Sequence, residues 1–151
     1  MIYLVTKAKT LFKSSKYECI SIEKSKEIIN SMGKIRGLDT ETRGLNPHTK
    51  ALLTVQIGTK ENQVVIDCTT INIWEYKNIL EDSNILYILA NAKFDIQFFF
   101  KHNIILSKIW DVMLAEKIRY LGYPKNSFHA DLKTLEYKYL NKYMDKTVRG
   151  K

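Results

Sequence analysis

The chain has 151 residues, of which 45% are hydrophobic and 26% charged, with 6 Gly and 2 Pro. That is ordinary globular usage. It excludes collagen-like, mucin-like and broadly disordered classes, and the length suits a single domain with its own core. Lys and Arg outnumber Asp and Glu by 24 to 16, a net charge of +8.

No apolar run reaches the ~18–20 residues of a membrane span, and the N-terminus lacks the signal-peptide pattern. Cys19 and Cys68 stand apart with no C-x-x-C pairing, so neither a disulfide framework nor a zinc site is indicated. These features predict a cytoplasmic protein with no membrane partner. The charge is uneven: residues 1–100 carry 13 basic and 11 acidic side chains, residues 101–151 carry 11 and 5. Tyr120, Tyr123, Tyr137, Tyr139 and Tyr143 lie in the same basic stretch. Such a surface attracts polyanions and offers rings on which bases stack. The same residues at helical spacing also suit an ordinary solvated and packed helix.

Ile2–Val5 and Tyr17–Ile20 are short strand candidates. Ser21 is a good N-cap with Glu23 in the first turn, the Ile22, Ile28, Ile29 and Met32 stripe is helical, and Gly33 follows as a stop. Lys34–Glu41 is predicted as a strand with an acidic end, and Gly44 with Asn46-Pro47 marks a loop. Ala51–Gly58 and Gln63–Asp67 form strands joined by a polar hairpin over Thr59–Asn62. The second half alternates: a helix over Ile73–Leu80, a buried strand over Ile85–Ala90, and a helix over Asn91–His102. A short strand over Ser107–Asp111 and helices over Asp111–Leu121 and Asp131–Tyr143 complete it. Strands first, then alternating helix and strand, predict an α/β domain with a mixed sheet.

The sharpest local feature is Gly37-Leu38-Asp39-Thr40-Glu41-Thr42. Strand side chains alternate faces, so Asp39 and Glu41 project together. Two carboxylates side by side repel unless a cation lies between them, and hard ions such as Mg²⁺ or Mn²⁺ prefer carboxylate oxygen. A lone D-x-E also occurs simply as solvated residues at a strand end. Asn91-Ala92-Lys93-Phe94-Asp95 follows the strand Ile85–Ala90, which places Asp95 in a first helical turn beside the strand ends. Sites form there in α/β sheets, although an isolated Asp in a first turn also serves as a dipole complement.

Taken together, D-T-E-T-x-G-L followed by L-L-x-V-Q-I-G over Gly37–Gly58 resembles the DEDD (DnaQ-like) 3′–5′ exonuclease superfamily. A-N-A-K-F-D resembles its second motif. Ile109 to Ala115 resembles its D-T-M-L-A helix. Asp131-Leu132-Lys133-Thr134-Leu135, Tyr139-Leu140 and Asp145-Lys146-Thr147-Val148-Arg149 resemble its L-K-x-L…Y-L…L-D-K-S-x-R stretch. The wording is nearest to the proofreading-type domain of family A DNA polymerases and to the Werner/ribonuclease D branch.

The resemblance implies an RNase H-like fold, a five-stranded mixed sheet flanked by helices, forming one exonuclease-like domain over residues 1–151. It implies removal of nucleotides from 3′ ends, single-stranded DNA first, with two Mg²⁺ or Mn²⁺ ions. Asp39, Glu41 and Asp95 would be the metal-holding catalytic residues. Thr40 would offer a backbone group near the terminal sugar, Leu45 would pack on the terminal base, and Asn91 and Phe94 would line the substrate. A bacterial or phage-infected cell, with a polymerase domain or complementing chain as partner, would be its setting.

The pattern departs from the family in three places. Arg43 replaces a small residue and is a candidate phosphate contact. Ala90 stands where His is common. No Tyr has Asp four residues later and no His has Asp five residues later, so the fourth carboxylate is not found. Asp111, Asp131 and Asp145 are the remaining acids, each at a position that looks structural. The expectation is a domain that stops before its last catalytic helix, weak or inactive alone. The alternatives are a nucleic-acid-binding module without hydrolysis or a fragment of a split polymerase.

Overall fold

In the computed structural model, residues 1–9, 15–122 and 130–143 are described. Seven strands form one mixed sheet. They are β1 (Ile2–Val5), β2 (Glu18–Cys19), β3 (Ile35–Thr42), β4 (Leu52–Gly58), β5 (Gln63–Asp67), β6 (Leu86–Leu89) and β7 (Ile109–Asp111). Five helices accompany them: α1 (Ile22–Ser31), α2 (Lys77–Leu80, entered through a 3₁₀ turn at Ile73–Tyr76), α3 (Ala92–Lys101), α4 (Val112–Arg119) and α5 (Leu132–Leu140). The strand order is β2-β1-β5-β4-β3-β6-β7. The five-stranded sheet implied by the resemblance is therefore β5 to β7 of that order. It is lengthened at one edge because β1 pairs in parallel with β5 and carries β2.

Local chemistry sets most boundaries. The Ser21 side chain accepts from the Lys24 N–H and starts α1, and Met32 closes it by donating its N–H to the Ile29 carbonyl. The β4–β5 hairpin closes with Thr59 N–H donating to the Asn62 carbonyl at 2.8 Å. Gly58 is needed there, because a Cβ would meet the Asn62 carbonyl oxygen at 3.0 Å.

The core lies on one face of the sheet. Leu38, Val55, Ile57, Val64, Ile66, Tyr87 and Leu89 pack there against Ile29 of α1 and Phe98 and Phe99 of α3. Burial of such apolar surface is the main force holding these layers together. Arg36 also turns inward, donating to the carbonyls of Gly33 and Met32. That leaves the other face of β3, β4 and β6 to the site.

Candidate active site

Burial along β3 alternates strictly from Ile35 to Glu41. Arg36, Leu38 and Thr40 are buried, while Ile35, Gly37, Asp39 and Glu41 are exposed. Asp39 and Glu41 thus share the open face, as the period of two predicts. Across the antiparallel pair, Gln56 registers with Asp39, Gly58 with Gly37 and Thr54 with Glu41. The register shifts between Glu41 and Thr42, a bulge at the acidic end of the strand. Bulges commonly re-aim side chains beside sites.

A cleft of about 660 Å³ is lined among others by Gly37, Asp39, Gln56, Gly58, Lys60, Ala90 and, from the helices, Val112 and Leu132. Gln56, the glutamine of the L-L-x-V-Q-I-G stretch, was given no role from the sequence, and Lys60 lies outside the motifs. Antiparallel pairing of β3 with β4 brings Gln56 opposite Asp39.

Asp95 lies in the first turn of α3 and is 3% exposed. Its carboxylate accepts from the Thr40 hydroxyl at 2.6 Å. Burial raises its pKa to about 6; the Thr40 hydrogen bond opposes this and the neighbouring Asp39 charge adds to it. Its side chain is thus tied to the inward-facing residue that stands between Asp39 and Glu41 on β3.

The remaining predicted positions separate. Thr40 turns its side chain to the core. Asn91 is exposed in the left-handed region (φ 63°) where α3 begins. Phe94 is half-buried, packs on the core and stacks with Phe98 at 5.2 Å between ring centres. Leu45 is 83% exposed in the loop after β3, and Arg43, also exposed, bonds through its backbone N–H to Ala51.

Two of the three remaining acids are committed to backbone. Asp111 accepts from the N–H groups of Met113 and Leu114, capping α4, and from those of Asn91 and Ala92, capping α3. Asp131 caps α5 through the Thr134 N–H and hydroxyl. Asp145 lies outside the described residues.

The basic, tyrosine-rich last third is partly knitted into structure. Glu116 of α4, 5% exposed, accepts from Lys138 at 2.5 Å and from the Tyr139 hydroxyl at 2.7 Å. Lys138 also donates to Tyr120, and Arg119 to the Tyr139 hydroxyl. The Lys138 hydrogen bond holds the Glu116 carboxyl below the usual carboxylate range. Tyr137 stacks with Tyr143, and Tyr123 lies outside the described residues. Beside this network an apolar groove of about 810 Å³ runs between α4 and α5, lined by Trp110, Ile118, Leu132 and Leu140.

The donor set fits a hard divalent cation. It is carboxylate oxygen throughout, with two like charges on one face and a third acid raised by burial and by one of them. The Thr54 hydroxyl, on the residue in register with Glu41, is a buried polar atom with no hydrogen-bond partner among the described residues. Among the described residues, no three His, Cys, Asp or Glu side chains already converge on one point. No helix among them is long and apolar enough to cross a membrane.

A family model described as 3′–5′ exonuclease matches residues 17–150. No curated protein matches at a significant level. Among solved structures, Brucella melitensis NrnC bound to pGG is similar at TM-score 0.69 and 20% identity, over 96% of this chain and 63% of that one. NrnC is also solved with bound Mg²⁺. The catalytic core of RRP6 from Trypanosoma brucei is similar at TM-score 0.75 and 12% identity, over 99% of this chain and 37% of that one. Escherichia coli RNase D, an exoribonuclease involved in structured RNA processing, is similar at TM-score 0.63 and 22% identity, over 80% and 31%. The chain thus spans less than two thirds of the length of each. These likenesses show the fold, and the family match covers nearly the whole sequence.

Proposed function

The chain belongs to the 3′–5′ exonuclease family, and on that footing we propose that it trims nucleic acid from the 3′ end at Asp39, Glu41 and Asp95. The observation that carries this reading is the placement of two carboxylates on the open face of β3, with a third acid, Asp95, hydrogen-bonded to Thr40 between them in the strand. Two Mg²⁺ or Mn²⁺ ions, held by these oxygens, would supply charge to the attacking and leaving oxygens of the phosphodiester.

The protein's own residues would do the positioning. Gly37 and Gly58 stand in register beside Asp39, so no side chain from that pair blocks approach to the sheet. Lys60 at the cleft offers a phosphate contact, as does exposed Arg43. The exposed Leu45 side chain is available to lie against the terminal base. Single-stranded DNA is the proposed substrate, supported by the proofreading-type wording of the motifs; the likeness to RNase D favours RNA as the alternative.

The test uses 5′-labelled single-stranded DNA and RNA with Mg²⁺ or Mn²⁺. Shortening from the 3′ end that is lost by orders of magnitude in Asp39→Ala is the expected result. A second reading, binding without hydrolysis, is favoured by the commitment of Asp111 and Asp131 to helix caps, which leaves neither free to act as a fourth acid. Salt-sensitive binding of either oligonucleotide that survives Asp39→Ala, with no shortening, would establish it in place of the first.

A further inference from the structure

Thr40 sits between the two open-face carboxylates yet points the other way, to the buried face of β3 that it shares with Leu38, with buried Val55 opposite it in register. It is 6% exposed, and Asp95 is 3% exposed. A hydroxyl in such a place costs free energy unless it is bonded, and valine would fill the same volume without that cost. The hydroxyl is bonded, to Asp95 Oδ1 at 2.6 Å across 55 residues of sequence. That length is in the range of a charge-assisted O–H···O⁻ bond. The bond holds one carboxylate oxygen in place and so restrains the group. The β-branched donor has few rotamers, and it stands on the same strand as Asp39 and Glu41.

We propose that the Thr40 side chain is the positioning residue that registers Asp95 against Asp39 and Glu41 for divalent-cation binding, acting from beneath the sheet. This rests on the exonuclease reading of the three acids. It assigns the middle residue of Asp39-Thr40-Glu41 a side-chain role distinct from any backbone contact to substrate. Groups that orient metal ligands in this way typically change metal affinity about 10–100-fold when removed.

The experiment measures Mn²⁺ binding by electron paramagnetic resonance on the full chain, without nucleic acid. It compares wild type with Thr40→Val, Thr40→Ala and Thr40→Ser. Val keeps the volume and Ala adds no bulk, so at least one hydroxyl-free variant retains the fold, checked by circular dichroism. Expected are a loss of affinity of about 10–100-fold in Val and Ala and near-wild-type affinity in Ser. Wild-type binding with unchanged or tighter binding in Val and Ala overturns the role of Thr40 and leaves the exonuclease reading standing. Equal losses in Ser and Val also overturn it, because the hydroxyl would not be the operative group. A wild-type chain that binds no Mn²⁺ overturns both.

Discussion

The Asp111 carboxylate accepts the Ala92 N–H at 2.8 Å, so a side chain at the end of β7 caps a helix that begins 19 residues earlier. Its other oxygen accepts from Met113 and Leu114 at the start of α4. The residue before α3, Asn91, makes no side-chain cap of its own. One carboxylate therefore fixes the directions of two helices, including the one that carries Asp95.

Asp111→Ala should cost about 2–3 kcal/mol in urea unfolding, since two caps are lost together and partly buried N–H groups are left bare. Burial pushes the Asp111 carboxyl up, but the four amides outweigh it and the pKa is lowered. A lowered carboxylate contributes stability above its unfolded pKa and loses it as pH falls through the folded one. The difference between wild type and Asp111→Ala should accordingly shrink below roughly pH 4. A penalty of less than about 0.5 kcal/mol at pH 7 would mean that water caps both helices equally well.

Asp95 gives the opposite sign. Its pKa is raised to about 6, so the folded state holds the proton more tightly than the unfolded one. Without metal, stability should fall as pH rises from about 4 to about 6, on the order of 2–3 kcal/mol for a shift of this size. Asp95→Asn, with no carboxyl to titrate, should flatten this window. Urea unfolding of both proteins between pH 4 and pH 7 in the presence of EDTA makes the comparison; parallel curves would refute it.

Lys60 lines the cleft that holds Asp39. If the strand lies there, Lys60→Ala should weaken oligonucleotide binding without regard to sequence and reduce the slope of log K against log salt by about one. An unchanged slope, read by fluorescence anisotropy, would place the phosphates elsewhere.

Glu116 joins α4 to α5 through Lys138 and Tyr139. Glu116→Gln removes the charge at the centre of that network. Hydrogen exchange in residues 132–140 should speed several-fold while β3 and β6 stay protected, because locally opened units follow local contacts. Equal protection in the variant would assign the docking of α5 to Leu135 and its apolar neighbours instead.

Much of the fold could be read from nearby residues. Ser21 and Gly33 bracket α1, Thr59–Asn62 closes the hairpin, and alternation along β3 puts Asp39 and Glu41 on one face. These are decided by contacts within a few residues or by the pleat itself. The seven separate strand segments were also legible, whereas the family comparison suggested five. The extra pair depends on β1 finding β5, a pairing of residues about 60 apart that no local pattern encodes.

The site divides along the same line. Sequence alone determined that Asp39 and Glu41 share a face, because the strand period leaves no choice. The tertiary structure decided what each neighbour does. Thr40 reaches Asp95, Phe94 packs beside Phe98, and Asp111 serves two helices. It also turned Lys138 and Tyr139 from a free basic, aromatic surface into partners of Glu116. Hydrogen bonds and ion pairs of this kind depend on separations of about 3 Å between groups far apart in the chain, and only the packed layers of sheet and helix set those distances.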